Sequence, residues 1–221
     1  MELAFGGARL LADCSGALYW PAERTLIVSD LHLEKASFYA SRGVMLPPYD
    51  TAATLAELAK VIDYYRPARV IALGDNFHDR DGGARLSGES RTKIFALQQG
   101  REWIWITGNH DPETIENIGG DFAETFEKSS LTFRHLPGTT ELEVIGHFHP
   151  VARVSVRGRT LRRRCFASSE RRLVLPAFGS FTGGFNIRDL SFASLMGGDF
   201  FAHMLGGERL FSFAAAHCLP D

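Results

Sequence analysis

Residues 25–32 read "TLIVSDLH", an aliphatic run that stops abruptly on Asp30 and His32. A short run of Leu, Ile and Val cut off by turn-forming polar residues reads as a buried strand. The residues that end it are also able to hold a metal ion. The arrangement recurs three times. "VIALGD" (70–75) ends on Asp75, "WIWITGNHD" (103–111) on Asn109, His110 and Asp111, and "LEVIGHFH" (142–149) on His147 and His149. Helical segments separate the first three runs. In "YDTAATLAELAKVIDYY" (49–65) Asp50 is the expected N-cap, and Leu55, Leu58 and Ile62 recur at helical spacing. In "SGESRTKIFALQQG" (87–100) Gly100 is the expected stop. Strand and helix in alternation predict βαβ units and an α/β sheet. Such sheets bind ligands beyond the carboxyl ends of their strands, so the four clusters are expected to meet.

Beyond residue 120 the pattern turns strand-rich. "SLTFRHLP" (130–137), "TTELEVIG" (139–146), "VARVSVRGRTLRRRCFA" (151–167) and "RRLVLPAFG" (171–179) read as successive strands, and "FFAHMLGGERLFSFAA" (200–215) as a hairpin turning at Gly206 and Gly207. No repeat or linker divides the chain. The expectation is one domain over residues 1–221, built on two packed β-sheets.

The 221 residues suffice for a sizeable core. With 45% hydrophobic and 23% charged residues and a net charge of −2, no overall electrostatic bias points to nucleic acid or membrane. The N-terminal "MELAFGGARLLADCSG" lacks the basic start of a signal peptide, and no apolar run approaches the roughly 18 residues of a membrane span. Cys14, Cys165 and Cys218 are odd in number and far apart, which argues against a disulfide framework. These features predict a cytoplasmic protein with reduced thiols.

Six of the eight histidines, His32, His78, His110, His135, His147 and His149, fall in or beside the clusters or at a strand end. A single histidine is more often capped or buried in a core than bound to metal. The ordered series is harder to explain that way. Imidazole with carboxylate suits Mn²⁺, Fe²⁺ or Zn²⁺, and no cysteine joins a cluster, which argues against a thiolate zinc site. Seven candidate ligands, Asp30, His32, Asp75, Asn109, His135, His147 and His149, are too many for one ion. They suit two ions about 3.5–4 Å apart that share a carboxylate. Two divalent ions set against Asp30, Asp75 and a bridging hydroxide leave a positive remainder that attracts phosphate. The neutral amide of Asn109 preserves it.

The series "DLH", "GDNFHD", "GNHD", "RHLP" and "GHFHP" resembles the calcineurin-like metallophosphoesterases, over residues 30–149. The resemblance implies a two-sheet α/β sandwich flanked by helices, with a dinuclear site at one edge. It implies that Asp30, His32, Asp75 and His149 hold one ion, and that Asp75 bridges to a second ion held by Asn109, His135 and His147. His110 is then the unliganded histidine that contacts phosphate and protonates the leaving oxygen, after in-line attack by a hydroxide bridging the ions. A closer resemblance covers nearly the whole chain. "SDLHLEKASFYASRGVMLPPYDTAATL", "ALGDNFHD", "GHFHPVARV", "RRRCFA" and "LPAFGSFTGGFNI" are similar to the bacterial ligase-associated DNA damage response endonucleases of the PdeM type. This implies a manganese-dependent phosphodiesterase acting on DNA in repair, associated with a DNA ligase and a helicase. A phosphomonoesterase or nucleotide hydrolase shares the same motifs. A non-catalytic scaffold is disfavoured because all seven ligand positions are filled.

Protein phosphatases of the wider family carry Gly-Asp-x-x-Asp-Arg. Here His78 and Asp79 stand in the last two places. This counts against a protein phosphatase and leaves Asp79 and Asp111 as alternative partners for His110. His78 is either a phosphate contact or a support behind the ligands. Residues 151–172 hold eight arginines, among them Arg162, Arg163 and Arg164. They read equally as a solvated hairpin or as a DNA-backbone track beside the metals. "GSFTGGFNI" (179–187) reads as a tight turn more readily than as an anion loop, and Trp103 and Trp105 as core residues.

Overall fold

The computed structural model describes residues 1–111 and 117–221. The first sheet has seven strands in chain order: β1 (Glu2–Phe5), β2 (Ala8–Ala12), β3 (Leu18–Trp20), β4 (Thr25–Val28), β5 (Arg69–Leu73), β6 (Glu102–Ile106) and β7 (Asp121–Ala123). The first four strands pair antiparallel, and β4 to β7 pair parallel. The crossover from β4 to β5 carries α1 (Lys35–Ala40) and α2 (Asp50–Tyr65); that from β5 to β6 carries α3 (Gly82–Arg85) and α4 (Gly88–Gln98). The second sheet holds β8 (Thr125–Lys128), β9 (Leu131–Arg134), β10 (Glu143–Ile145), β11 (Pro150–Val156), β12 (Arg159–Ser168), β13 (Arg172–Val174), β14 (Phe185–Asn186), β15 (Phe201–Leu205) and β16 (Leu210–Ala214). Helix α5 (Leu190–Met196) packs on its outer side.

Side chains alternate across each strand, and the alternation builds the layers. Ile27, Ile71, Ile104 and Ile106 face the second sheet and pack with Phe133, Val144, Phe166 and Leu173. Leu26, Val28, Val70, Ala72, Trp103 and Trp105 face the other way, onto Leu55, Leu58 and Ile62 of α2 and Ile94 and Leu97 of α4. Both faces of these parallel strands are buried, which is why the sequence shows unbroken apolar runs. The two-sheet α/β architecture and the core role of both tryptophans are as expected.

Three details differ or sharpen. Asp50 is not the N-cap of α2. That place is taken by Tyr49, which makes no side-chain cap, and the buried Asp50 carboxylate instead accepts the Ala36 amide at 3.1 Å. The arginine-rich segment is the β11–β12 hairpin, turning at Arg157 (φ 49°) and Gly158 (φ 75°), the left-handed pair that tight hairpins require. The C-terminal hairpin closes over residues 206–209, with the Gly206 amide on the Arg209 carbonyl at 3.0 Å. The three cysteines are unpaired, and among the described residues no helix is long and apolar enough to cross a membrane.

Candidate metal centre

The parallel register sets the ends of β4, β5 and β6 side by side, with Val28 opposite Ala72 and Leu73 opposite Ile106. The next residues of these strands are the first three clusters. The second sheet contributes in the same way: β9 and β10 run parallel and end on His135 and on His147 with His149. All seven predicted ligands therefore meet at one edge of the sandwich.

Six of them form two adjoining groups, Asp30 with His32 and His149, and Asp75 with His135 and His147, each bringing its ligand atoms within 4.8 Å of one another. In the first group His32 Nε2 lies 3.2 Å from His149 Nε2, which is 3.2 Å from Asp30 Oδ1. In the second, His135 Nε2 lies 3.2 Å from His147 Nδ1, 3.1 Å from Asn109 Oδ1 and 3.3 Å from Asp75 Oδ1. Metal–nitrogen bonds of about 2.1 Å at near-right angles set neighbouring donors about 3 Å apart, so the donor set fits an ion in each group. Asp75 faces both: Oδ1 points to the second group, and Oδ2 lies 4.0 Å from His32 Nε2 in the first.

The backbone is bent sharply to do this. Asp30, His32, Asp75, His147 and His149 have φ between 43° and 70°, in the left-handed region that costs a residue with a β-carbon about 1 kcal/mol or more. Five of the twelve non-glycine residues with positive φ among the described residues are thus candidate ligands. Two glycines make room for the site. A β-carbon at Gly108 would collide with the Asp75 amide, and one at Gly146 with the Ser29 hydroxyl. Gly179 does the same against the Leu31 carbonyl, so "GSFTGGFNI" serves to pack against the loop carrying Asp30.

Electrostatics divides the histidines. Burial pushes His32 down to about 3, leaving it neutral and ready to ligate. Burial also works against a charged His135, but the Asp75 carboxylate bonded to it and the nearby Asp30 outweigh this and hold it up at about 9. Asp75 itself, which burial would raise, is brought down to about 2 by His135 and the His110 amide. Below about pH 9 the metal-free centre thus keeps a proton on His135, and a metal must displace it. Loading at about pH 7.5 is expected to release at least one proton per chain, the one held on His135. Calorimetric titration in two buffers of different ionisation enthalpy measures this, and heats independent of buffer would contradict it. The same group stabilises the metal-free fold fully below its ordinary 6.5, and the contribution is lost as pH rises through about 9.

His110 stands at the rim, with its side chain 45% exposed and Nε2 3.9 Å from Asp75 Oδ2. Its Nδ1 lies 3.0 Å from the His78 carbonyl. Neither sequence candidate is its partner. Asp79 pairs with Arg85, and Asp111 accepts the amides of Gly108, Asn76 and Phe77 at 2.9–3.1 Å. Asp111 is thus a clamp between two ligand loops. The His78 ring faces the centre, 5.6 Å from His32 and stacked 6.0 Å from His110, and burial lowers it to about 4, with the charges of Lys35 and His110 adding to the effect.

The arginines divide. Arg162 bonds Asp221 at 3.2 Å and the Gly184 carbonyl at 3.0 Å, and the half-buried Arg164 donates to the Ala177 carbonyl at 2.6 Å. Arg163 lies between them on the strand and so faces the opposite side, exposed. None of their hydrogen bonds reaches a cluster residue among the described residues. A cation that sequence reasoning missed does approach the centre. Lys35 bonds the Phe181 carbonyl at 2.9 Å and lies close enough to His78 to affect its charge. Its signal was its position three residues after His32.

The two-sheet sandwich and the two adjoining His/Asp groups at its strand ends agree with the metallophosphoesterase resemblance of the sequence. This chain belongs to the calcineurin-like phosphoesterase family, whose model matches residues 23–168. In three dimensions it is similar to nuclease MPE of Pseudomonas putida, at 28% identity and a TM-score of 0.73, over 96% of this chain and 99% of that one. It is also similar to the E. coli phosphoesterase Yfce, at 11% identity and a TM-score of 0.45 over 86% and 98% of the chains. Vps29 of Entamoeba histolytica, at 14% identity and a TM-score of 0.37, covers the same shares. No curated protein sequence matches the chain.

Proposed function

We propose that this chain is a phosphodiesterase that cleaves DNA, using two divalent transition-metal ions, Mn²⁺ foremost and Fe²⁺ or Zn²⁺ as alternatives. Asp30, His32, Asp75 and His149 would hold one ion, and Asp75, Asn109, His135 and His147 the other. The observation that carries the reading is the placement of Asp75, with one carboxylate oxygen toward each group. Bound there, the ions would supply Lewis acidity toward phosphate and an activated water. With only Asp30 and Asp75 as carboxylates, the centre keeps a positive remainder for a phosphodiester. His110 presents Nε2 to solvent at the rim, where a leaving oxygen can take a proton. His78, whose ring forms a near-equilateral triangle with those of His32 and His110, is read as a phosphate contact.

A nucleic-acid substrate is supported by likeness to the P. putida nuclease along nearly the full length of both chains, and DNA in particular by the resemblance to the ligase-associated endonucleases. The resemblance to ligase-associated endonucleases extends the proposal to repair in the cytoplasm, beside a DNA ligase and a helicase. A screen of bis-aryl phosphate, aryl phosphate, 2′,3′-cyclic nucleotides and DNA with added Mn²⁺ tests it. Diesters and DNA are expected to be cleaved in preference to the monoester. A strong preference for the monoester would reject the diesterase reading.

A further inference from the structure

Helix α1 is six residues long and buries only Ala36, so apolar packing does not hold it. Polar groups do. The Ala36 amide donates to the Asp50 carboxylate at 3.1 Å, the Ser37 hydroxyl to Glu34 at 2.7 Å, and Arg85 Nε to the Ser37 hydroxyl at 3.0 Å. Lys35 ties the helix to the Phe181 carbonyl at 2.9 Å. Asp50 and Glu34 are buried, and burying carboxylates is costly. The helix is therefore fixed in place at an expense that its own share of the core does not explain.

What it presents is aromatic. Phe38 and Tyr39 are partly exposed and join none of the three hydrophobic clusters among the described residues. Both pack on His78, with ring centroids 4.6 and 5.5 Å away. Tyr39 is tilted 33° from His78, which is itself 17° from His110. The three rings form a row that starts at His110 and runs through His78 to Tyr39. Phe38 meets Tyr39 edge-on at 87°, and the Arg42 guanidinium covers Phe38 at 3.7 Å. Tyr39 is thus held between an edge contact with Phe38 and a tilted contact with His78.

We propose that Tyr39, braced by Phe38 and Arg42, is a nucleobase subsite: a stacking platform for the base adjoining the scissile phosphodiester on the leaving side. This rests on the phosphodiesterase reading. A single aromatic face binds any base through its π-system and reads no hydrogen-bond pattern, so the subsite favours nucleotides without selecting sequence. A monoester or a base-free diester gains nothing from it.

The test compares a dinucleoside monophosphate with the same compound made abasic on one side or the other, with Mn²⁺. For the base on the leaving side, the wild type should prefer the base-bearing substrate in kcat/KM by about tenfold, the order one base–aromatic stack supplies. Tyr39→Leu should bring that ratio toward one, and Tyr39→Trp should keep it. A second readout needs no variant. A 2-aminopurine on that side of a methylphosphonate dinucleotide should lose fluorescence when bound to the wild type. No preference in the wild type, an unquenched probe, or a preference that survives Tyr39→Leu overturns the subsite and leaves the diesterase reading standing. If the wild type cleaves neither dinucleotide, the diesterase reading itself fails and the subsite with it.

Discussion

Asp75→Asn is expected to cost at least about a thousandfold in kcat/KM on a model diester, close to 4 kcal/mol at 1.36 kcal/mol per tenfold, and to lower the bound metal from two ions per chain to one or fewer. The side chain is buried, with Oδ1 3.3 Å from His135 Nε2 and Oδ2 4.0 Å from His32 Nε2. A carboxylate offers an acceptor to each side. An amide of the same shape offers one acceptor and one donor, so whichever way it turns, one group faces an N–H it cannot use. The substitution also removes one of the two negative charges that offset the ions. Lewis-acid stabilisation of phosphoryl transfer is worth several kcal/mol, enough for the loss. A second signal needs no substrate. His135 is held at about 9 largely by its bond to Asp75, so in the variant its proton affinity should fall, visible by NMR of the metal-free protein. An Asp75→Asn protein that cleaves the diester at the parent rate would refute the bridging assignment.

Much of this centre was legible in the chain because the physics that buries a parallel strand also isolates its end. Strands covered on both faces must be apolar throughout, so "TLIVSDLH", "VIALGD" and "WIWITGNHD" leave no place for polar residues except the terminus, where function then stands out. Contacts that use backbone are invisible by the same logic. His110 leans on the His78 carbonyl, and a carbonyl has no residue signature, so the two nearby acids, Asp79 and Asp111, looked like better partners than they are. Asp50 misled for a related reason. A carboxylate at a helix start resembles a cap, yet this one serves the Ala36 amide of a different helix. Helix α1 itself was missed because six residues held by Glu34 and Asp50 show no apolar period to detect. The run of Arg162, Arg163 and Arg164 looked like one charged surface, but strand alternation splits it, and Asp221 at the far end of the sequence partners the first.

His110→Ala is expected to keep both metals and to lose rate in proportion to how much the leaving group needs a proton. The ring does not belong to either ligand group. Its Nδ1 lies 3.0 Å from the His78 carbonyl, and a carbonyl can only accept, so Nδ1 carries the hydrogen of that bond and Nε2 is left to exchange a proton with the substrate. The bond also fixes the ring plane, and the stacked His78 ring supports it from one side. General acid catalysis of this kind contributes about 10²–10⁴-fold. That full loss should appear for DNA, whose departing sugar oxygen is a strong base. A nitrophenyl diester, whose leaving oxygen departs readily as an anion, should lose only a small part of it. The contrast between substrates separates two roles that a single rate would confuse. Equal losses on both substrates with the metals retained would mean that His110 positions phosphate and delivers no proton. Loss of metal would mean that it shapes the centre through its amide, which donates to Asp75 Oδ1 at 3.0 Å, although alanine keeps that amide and gives no reason for the ions to leave.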